Sequence, residues 1–340
     1  MVSATALCHG AATIVNAIAT GKGAAFGIGL EAKVTVELKE GGGVIALDVK
    51  EPKLVETCVK NVFKLFPYKY GAEIKVESSI PVARGLKSSS AVANAAVLAA
   101  FGALAKRHGS IKMMRLDKEF SKQQLFIGRD EVKDETVLDI SVRSAKEAGV
   151  TITGALDDAA ACYFGGFVVT DNTGNKIMRR GEMEKLSAVV WVPDEKAYTK
   201  DVDVEATKAF SREVDAAWDL ALRGDIYTAM TLNGMIYSEA LWGSNAKGKA
   251  EDKTQSSKQK TEDSKREGSE DKTQDCRLKT SEAASIAMKA GAVAAGLSGK
   301  GPAVVAITKS DPDRILNAWQ KLGGRLIETS VSNAKACIVA

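Results

Sequence analysis

From Ala72 to Ser79 the chain alternates, with Ile74 and Val76 set among Glu73, Lys75 and Glu77. This period of two predicts a half-buried strand. Ala91 to Arg107 is rich in Ala and Leu, has no Pro and carries only Gly102 as a weak helix former, which predicts a helix packed into a core. Between them runs I-P-V-A-R-G-L-K-S-S-S (Ile80 to Ser90), so the stretch reads as strand, loop and helix. Pro81 and Gly85 shape the loop, and Ser88, Ser89 and Ser90 fall at the expected N-cap and first helical turn.

Upstream, residues 3 to 30 are small and glycine-rich, with Gly21, Gly23, Gly27 and Gly29 marking tight turns or a close approach to a neighbour or ligand. Val34, Val36 and Leu38 alternate with polar residues, and Gly41 to Gly43 turn the chain into Val44 to Val49; this predicts a hairpin. Pro52 opens a helix to about Phe66. Downstream, Asp117 to Ile127 and Val137 to Ala148 read as helices, the second closed by Gly149. Asp157 and Asp158 begin a short helix of small residues that Gly165 and Gly166 end, and Phe167 to Thr170 starts a strand. The second half offers strands at Ala188 to Val192, Ala303 to Ile307, Arg325 to Val331 and Lys335 to Val339. Its helices are predicted at Val204 to Arg223, Ile226 to Leu241, Ser281 to Ala295 and Asp311 to Leu322. A glycine loop, G-L-S-G-K-G-P, occupies Gly296 to Pro302. Ser244 to Arg277 has no Val, Ile, Leu, Met, Phe, Tyr or Trp. It reads as a disordered or loosely helical polar insertion at about residues 244–279.

Composition narrows the function. At 340 residues, 45% hydrophobic and 26% charged, the chain suits two medium domains or one bilobed enzyme, with a composition ordinary for a soluble globular protein. A net charge of +4 does not suggest a nucleic-acid binder. The five cysteines are widely spaced with no C-x-x-C, which favours free thiols in a reducing cytoplasm over a disulfide frame or zinc site. Only His9 and His108 are present, which argues against His-based metal binding. No leader or membrane span is expected.

A helix start presents unpaired N–H groups and the positive end of a dipole, so the Ser-rich loop is suited to an anion, phosphate first. The alternative is that the serines only cap the helix. The loop does not follow the G-x-x-x-x-G-K-[ST] spacing. Instead P-V-A-R-G-L-K-S-S-S, the aspartates before Gly165-Gly166 and the Gly296 to Pro302 loop, in this order, resemble the three motifs of the GHMP kinases. Within that family the run G-A-A-T-I-V-N-A-I-A-T-G-K-G-A-A-F-G-I (Gly10 to Ile28), with G-L-K-S-S-S-A and T-G-A-L-D-D-A, is most similar to archaeal-type shikimate kinases.

The resemblance implies an α+β, two-lobed fold with a ribosomal-protein-S5-like N-terminal lobe, residues 1–183, and a ferredoxin-like C-terminal lobe, residues 184–340. It implies ATP and Mg²⁺, with shikimate phosphorylated at its 3-hydroxyl in aromatic amino acid biosynthesis. By the same resemblance Pro81, Arg84, Gly85, Leu86, Lys87, Ser88, Ser89, Ser90 and Ala91 hold the nucleotide, and Ser89 binds the metal. Glu147, eleven residues before Asp158, is a second metal candidate. Asp158 matches the family's base, with Asp157 its neighbour as the other candidate. Lys22 or Arg84 could meet the substrate carboxylate, and Gly299 and Gly301 lie in the loop expected to face the substrate. Homoserine kinase is the nearest rival, and a non-catalytic nucleotide sensor the rival of another class.

Overall fold

The computed structural model describes residues 2–115, 121–151, 154–194, 207–240 and 280–340. The polar insertion lies outside these residues. β1 (Val2–Val15) and β2 (Lys22–Ala46) form an antiparallel hairpin, pairing from Val2 with Leu38 to Val15 with Ala24. Its small side chains let a helix lie close: Gly102 faces Ala4 and Ile338, and a Cβ there would meet Ile338 Cδ1 at 2.7 Å. A glycine inside this helix therefore trades propensity for approach.

The hairpin predicted around Gly41 to Gly43 is not formed. β3 (Tyr70–Ser78) lies between its two arms, so that Ala72, Glu73 and Ile74 pair with Leu38, Glu37 and Val36 and again with Val44, Ile45 and Ala46. The reason is Gly71, over which the glycine loop crosses. A Cβ on Gly71 would stand 2.5 Å from Gly41 O and 2.8 Å from Gly43 O.

Four helices cover this sheet: α1 (Lys53–Phe63), α2 (Ser88–His108), α3 (Asp134–Ala148) and α4 (Leu156–Phe164). Pro52 stands at the N-cap of α1, and Gly149 ends α3 in the left-handed region at φ 78°. α2 is long and apolar enough to cross a membrane by length and composition, yet most of it is buried within the protein. β7 (Phe167–Asp171) pairs with the start of β2 and β8 (Lys176–Gly181) with β7.

Asp117 to Ile127 is not a helix where it is described. β4 (Gly109–Arg115), β5 (Ser121–Ile127) and β6 (Asp130–Glu131) make a small separate sheet. Local preference yields to a tertiary partner: Gln123 donates through Nε2 to Ile338 O at 2.6 Å and accepts from Ile338 N at 2.7 Å. Its amide thereby closes the edge of β13 (Cys337–Ile338), which pairs with β1.

The second sheet is antiparallel, in the order β10 (Ala294–Leu297), β11 (Val304–Thr308), β9 (Ser187–Val192), β12 (Arg325–Ser330). α5 (Ser211–Arg223), α6 (Ile226–Ala240), α7 (residues 280–289) and α8 (Asp313–Trp319) complete the described chain. The helix predicted over Ser281 to Ala295 stops early because Ala294 and Ala295 join the sheet, with Ala294 opposite Ile307. Trp191 and Trp319 are fully buried here, and Trp319 Nε1 donates to Ala283 O at 2.8 Å.

Candidate active site

The loop before α2 opens on a cavity of about 410 Å³. Ala83, Gly85 and Lys87 all have positive φ, at 57°, 83° and 61°. Two of the three carry side chains, so the turn holds backbone strain of the kind that clusters at ligand sites. Lys87 occupies the N-cap, and no side chain caps the helix there. Ser88, Ser89 and Ser90 form its first turn and line the cavity. Pro81, Arg84, Gly85, Leu86 and Lys87 line it too. Ala91 does not: it is buried, and its N–H donates to Lys87 O at 3.0 Å. The first helical hydrogen bond consumes that donor.

The third glycine loop is fastened to this one. Ser298 Oγ donates to Gly85 O at 2.8 Å and accepts from Thr13 N at 3.1 Å. Gly299 N donates to Thr13 Oγ1 at 2.8 Å, and Asn16 Nδ2 donates to Gly299 O at 2.7 Å. Gly85 packs so tightly on Ser298 O that a Cβ would overlap it. Gly299 and Gly301 both line the cavity, as does Lys300 between them.

The aspartates separate by environment. Both lie in the first turn of α4, behind Ala155 in the left-handed region at φ 45°. Asp157 is buried, and its Oδ1 accepts from Asn172 Nδ2 at 2.8 Å. Asn172 Oδ1 in turn accepts from Thr170 Oγ1 at 2.7 Å and Asp157 N at 3.3 Å. Asp157 Oδ2 lies against Gly23, where a Cβ would come within 2.5 Å. Burial first, and the neighbouring charge of Asp158 second, push the Asp157 carboxyl up to about 6. Asp158 keeps a partly exposed carboxylate, whose Oδ1 is 2.8 Å from Lys87 Nζ. Burial works against the Lys87 ammonium, but the charges of Asp158 and Asp157 outweigh it and leave its pKa above the ordinary value.

Two other predicted residues, Lys22 and Glu147, lie elsewhere. Lys22 does not line the cavity; it pairs with Asp215 at 2.9 Å and lies over the Trp218 ring. Successive strand residues face opposite ways, and Gly23 is the one that faces Asp157. Glu147 is also outside the cavity lining, with Oε2 accepting from Asn61 Nδ2 at 2.9 Å. Arg84 reaches across to the carbonyls of Pro193, at 2.7 Å, and Asp194, at 3.1 Å. Among the described residues, no cluster of three or more His, Cys, Asp or Glu could hold a metal by itself. Sequence reading missed Thr13, Asn16, Asn172 and Lys300. Lys300 had a signal, since it stands inside the glycine loop, whereas Asn172 has none outside its fold position.

Known proteins with related sequences cover both halves. The family model "GHMP kinases N terminal domain" matches residues 53–125, and "GHMP kinases C terminal" matches residues 276–325. The shikimate kinase of Methanothrix thermoacetophila is 37% identical over 334 residues, 97% of this chain and 94% of that protein. The shikimate kinase of Pyrococcus furiosus is 34% identical over 325 residues, 94% of this chain and 96% of that protein. Among solved structures, the mevalonate kinase of Methanococcus jannaschii superposes with a TM-score of 0.65 at 16% identity, covering 96% of this chain and 98% of that one. A homoserine kinase from Cytophaga hutchinsonii gives 0.64 at 14% identity, covering 100% and 98%. The two structural likenesses establish a shared fold.

Proposed function

The chain belongs to the GHMP kinase family, in its shikimate kinase branch, and from that premise we propose that it transfers the γ-phosphoryl group of ATP to the 3-hydroxyl of shikimate. The products are shikimate 3-phosphate and ADP. The observation that carries the reading is the Lys87–Asp158 ion pair, set at 2.8 Å beside the serine loop in a cavity where both glycine loops meet.

In this reading Asp158 is the base. Both aspartates line the cavity, but Asp158 is the more exposed, while Asp157 is buried and tied to Asn172. Lys87 fixes the orientation of Asp158 and adds positive charge where the phosphates gather. Phosphoryl transfer asks little covalent work of a protein, so positioning and charge do most of the catalysis. The strained loop at Ala83 to Lys87 and the start of α2 supply backbone donors for the phosphate chain. As the acceptor oxygen attacks phosphorus, its proton passes to Asp158 and the bond to the ADP oxygen breaks.

Magnesium suits the donor set present. Hydroxyl oxygens of Ser88, Ser89 and Ser90 line the cavity, and a Mg²⁺ ion that shares phosphate oxygens needs only one or two protein ligands. Ser89 would hold it, and bound there it would neutralise phosphate charge. Glu147, facing Asn61, is a weaker candidate. In this reading Arg84, which lines the cavity, meets the shikimate carboxylate, and Lys22, which does not line it, has no part in substrate binding. A division into two lobes near residue 183, and a cytoplasmic setting, belong to the same reading.

The test is ADP release from Mg-ATP with shikimate, homoserine and mevalonate in parallel, using Asp158→Ala as the blank. Turnover with shikimate alone supports the reading. Turnover with another alcohol alone keeps the chemistry but discards the substrate, and ATP binding without turnover on any of them favours a nucleotide sensor.

A further inference from the structure

Among the described residues three cations line the cavity: Arg84, Lys87 and Lys300. Two have partners. Arg84 donates to the carbonyls of Pro193 and Asp194, and Lys87 pairs with Asp158. Lys300 makes no ion pair or side-chain hydrogen bond among the described residues. Its backbone is nonetheless held firmly, because Gly299 is bonded on both sides to Thr13 and Asn16 and Gly301 N donates to Ser298 O at 2.9 Å. A long cationic side chain thus stands on a fastened loop that lines the cavity, with no salt bridge of its own among the described residues.

Its surroundings show where the charge acts. Burial first and the charge of Lys87 second lower the pKa of Lys300, and Asp158 offsets part of this. Lys300 therefore feels both members of the ion pair. Gly299, its neighbour, lies so close to Lys87 that a Cβ would be 3.1 Å from the Lys87 Nζ. The ammonium groups of Lys87 and Lys300 thus repel each other beside Asp158, and an incoming anion relieves that repulsion.

We propose that Lys300 is a catalytic residue that contacts the phosphoryl group in transit. This rests on the kinase reading above. A shikimate molecule whose 3-hydroxyl meets Asp158 carries its carboxylate on the ring carbon meta to that hydroxyl, away from the base. The anion next to Asp158 at the moment of reaction is then the transferring phosphoryl group. Lys300 gains and loses no proton; it balances the charge on the equatorial oxygens while the oxygen–phosphorus bond to ADP breaks and the new one forms.

Lys300→Met and Lys300→Arg test this with two independent readouts. The first is calorimetric binding of Mg-ADP and Mg-ATP without acceptor. Lys300→Met should bind ADP as the unaltered enzyme does but ATP about tenfold more weakly, because the contact is to the terminal phosphate alone. The second is kinetics, in which Lys300→Met should lower kcat about 100-fold with the KM for shikimate within about threefold, and Lys300→Arg should recover part of the loss. Equal weakening of ATP and ADP would overturn the proposal, as would a raised shikimate KM with kcat intact. In the latter case the methyl ester of shikimate would show no difference between the enzymes, assigning Lys300 to the carboxylate. The nucleotide arm needs no acceptor, so loss of ATP-over-ADP preference stands even if the unaltered enzyme fails to phosphorylate shikimate.

Discussion

Lys87 Nζ stands 2.8 Å from Asp158 Oδ1, and the two side chains are only 8% and 19% exposed. They belong to different elements, the N-cap of α2 and the first turn of α4, so the pair ties the phosphate loop to the candidate base. A pair this sheltered is sensitive to loss of either partner.

Replacing the base with its neutral isostere separates chemistry from binding. Asp158→Asn should lower kcat by about 100-fold to 10,000-fold, the range for a lost general base, and leave ATP affinity within about threefold. ADP-release kinetics and calorimetry check it; near-normal turnover would remove Asp158 from the mechanism.

Removing the other partner should cost folding energy as well. Lys87→Met leaves a carboxylate without its cation and is expected to destabilise the protein by about 3 kcal/mol in urea denaturation. Adding Asp158→Asn should restore part of the stability and none of the activity, a coupling that a double-mutant cycle measures.

The junction of the two glycine loops has no room for a methyl group. Gly85→Ala places a Cβ into Ser298 O at a backbone φ of 83°, so the loops must part. The expected result is a loss of about 2 kcal/mol or more of stability together with a raised KM for ATP. An unchanged KM would show that the junction does not shape the nucleotide site.

Asp157 sets a pH dependence. Its carboxyl is raised from 3.8 to about 6 in the folded state, so between those values the folded protein keeps a proton that the unfolded chain releases. Stability from this group is present at low pH and lost as pH rises through that window. Asp157→Asn removes the dependence: the difference in melting temperature between variant and parent should grow in favour of the variant from pH 4 to pH 6.5. The free-energy change is on the order of 2 kcal/mol. A constant difference would contradict the assigned shift.

The metal reading distinguishes two residues. Ser89→Ala should raise the Mg²⁺ concentration for half-maximal turnover about tenfold, and Glu147→Ala by less than about twofold. An equal effect of Glu147→Ala would return that residue to the metal site.

Much of this protein is legible along the chain because it rests on local order. The alternation at Ile74 and Val76, the Ala-rich run of α2, Pro52 before α1 and Gly149 after α3 are each written within a few residues, and each element stands where it is expected. The three motifs that show the family are equally local. What the tertiary structure alone decided depends on groups distant in sequence. Asp157 and Asp158 are chemically identical neighbours, and only Asn172 beneath one and Lys87 beside the other divide their environments. Lys22 is a cation the sequence singles out and Lys300 one it passes over, yet the strand turns the first toward Asp215 and the glycine loop sets the second at the cavity. β5 is a strand because β4 pairs along its length and Gln123 meets Ile338, and the hairpin at Gly41 to Gly43 opened because β3 passes between its arms. Periodicity encodes which face of an element is apolar; it carries no record of which distant side chain will meet that face, and at this site that meeting sets the charge.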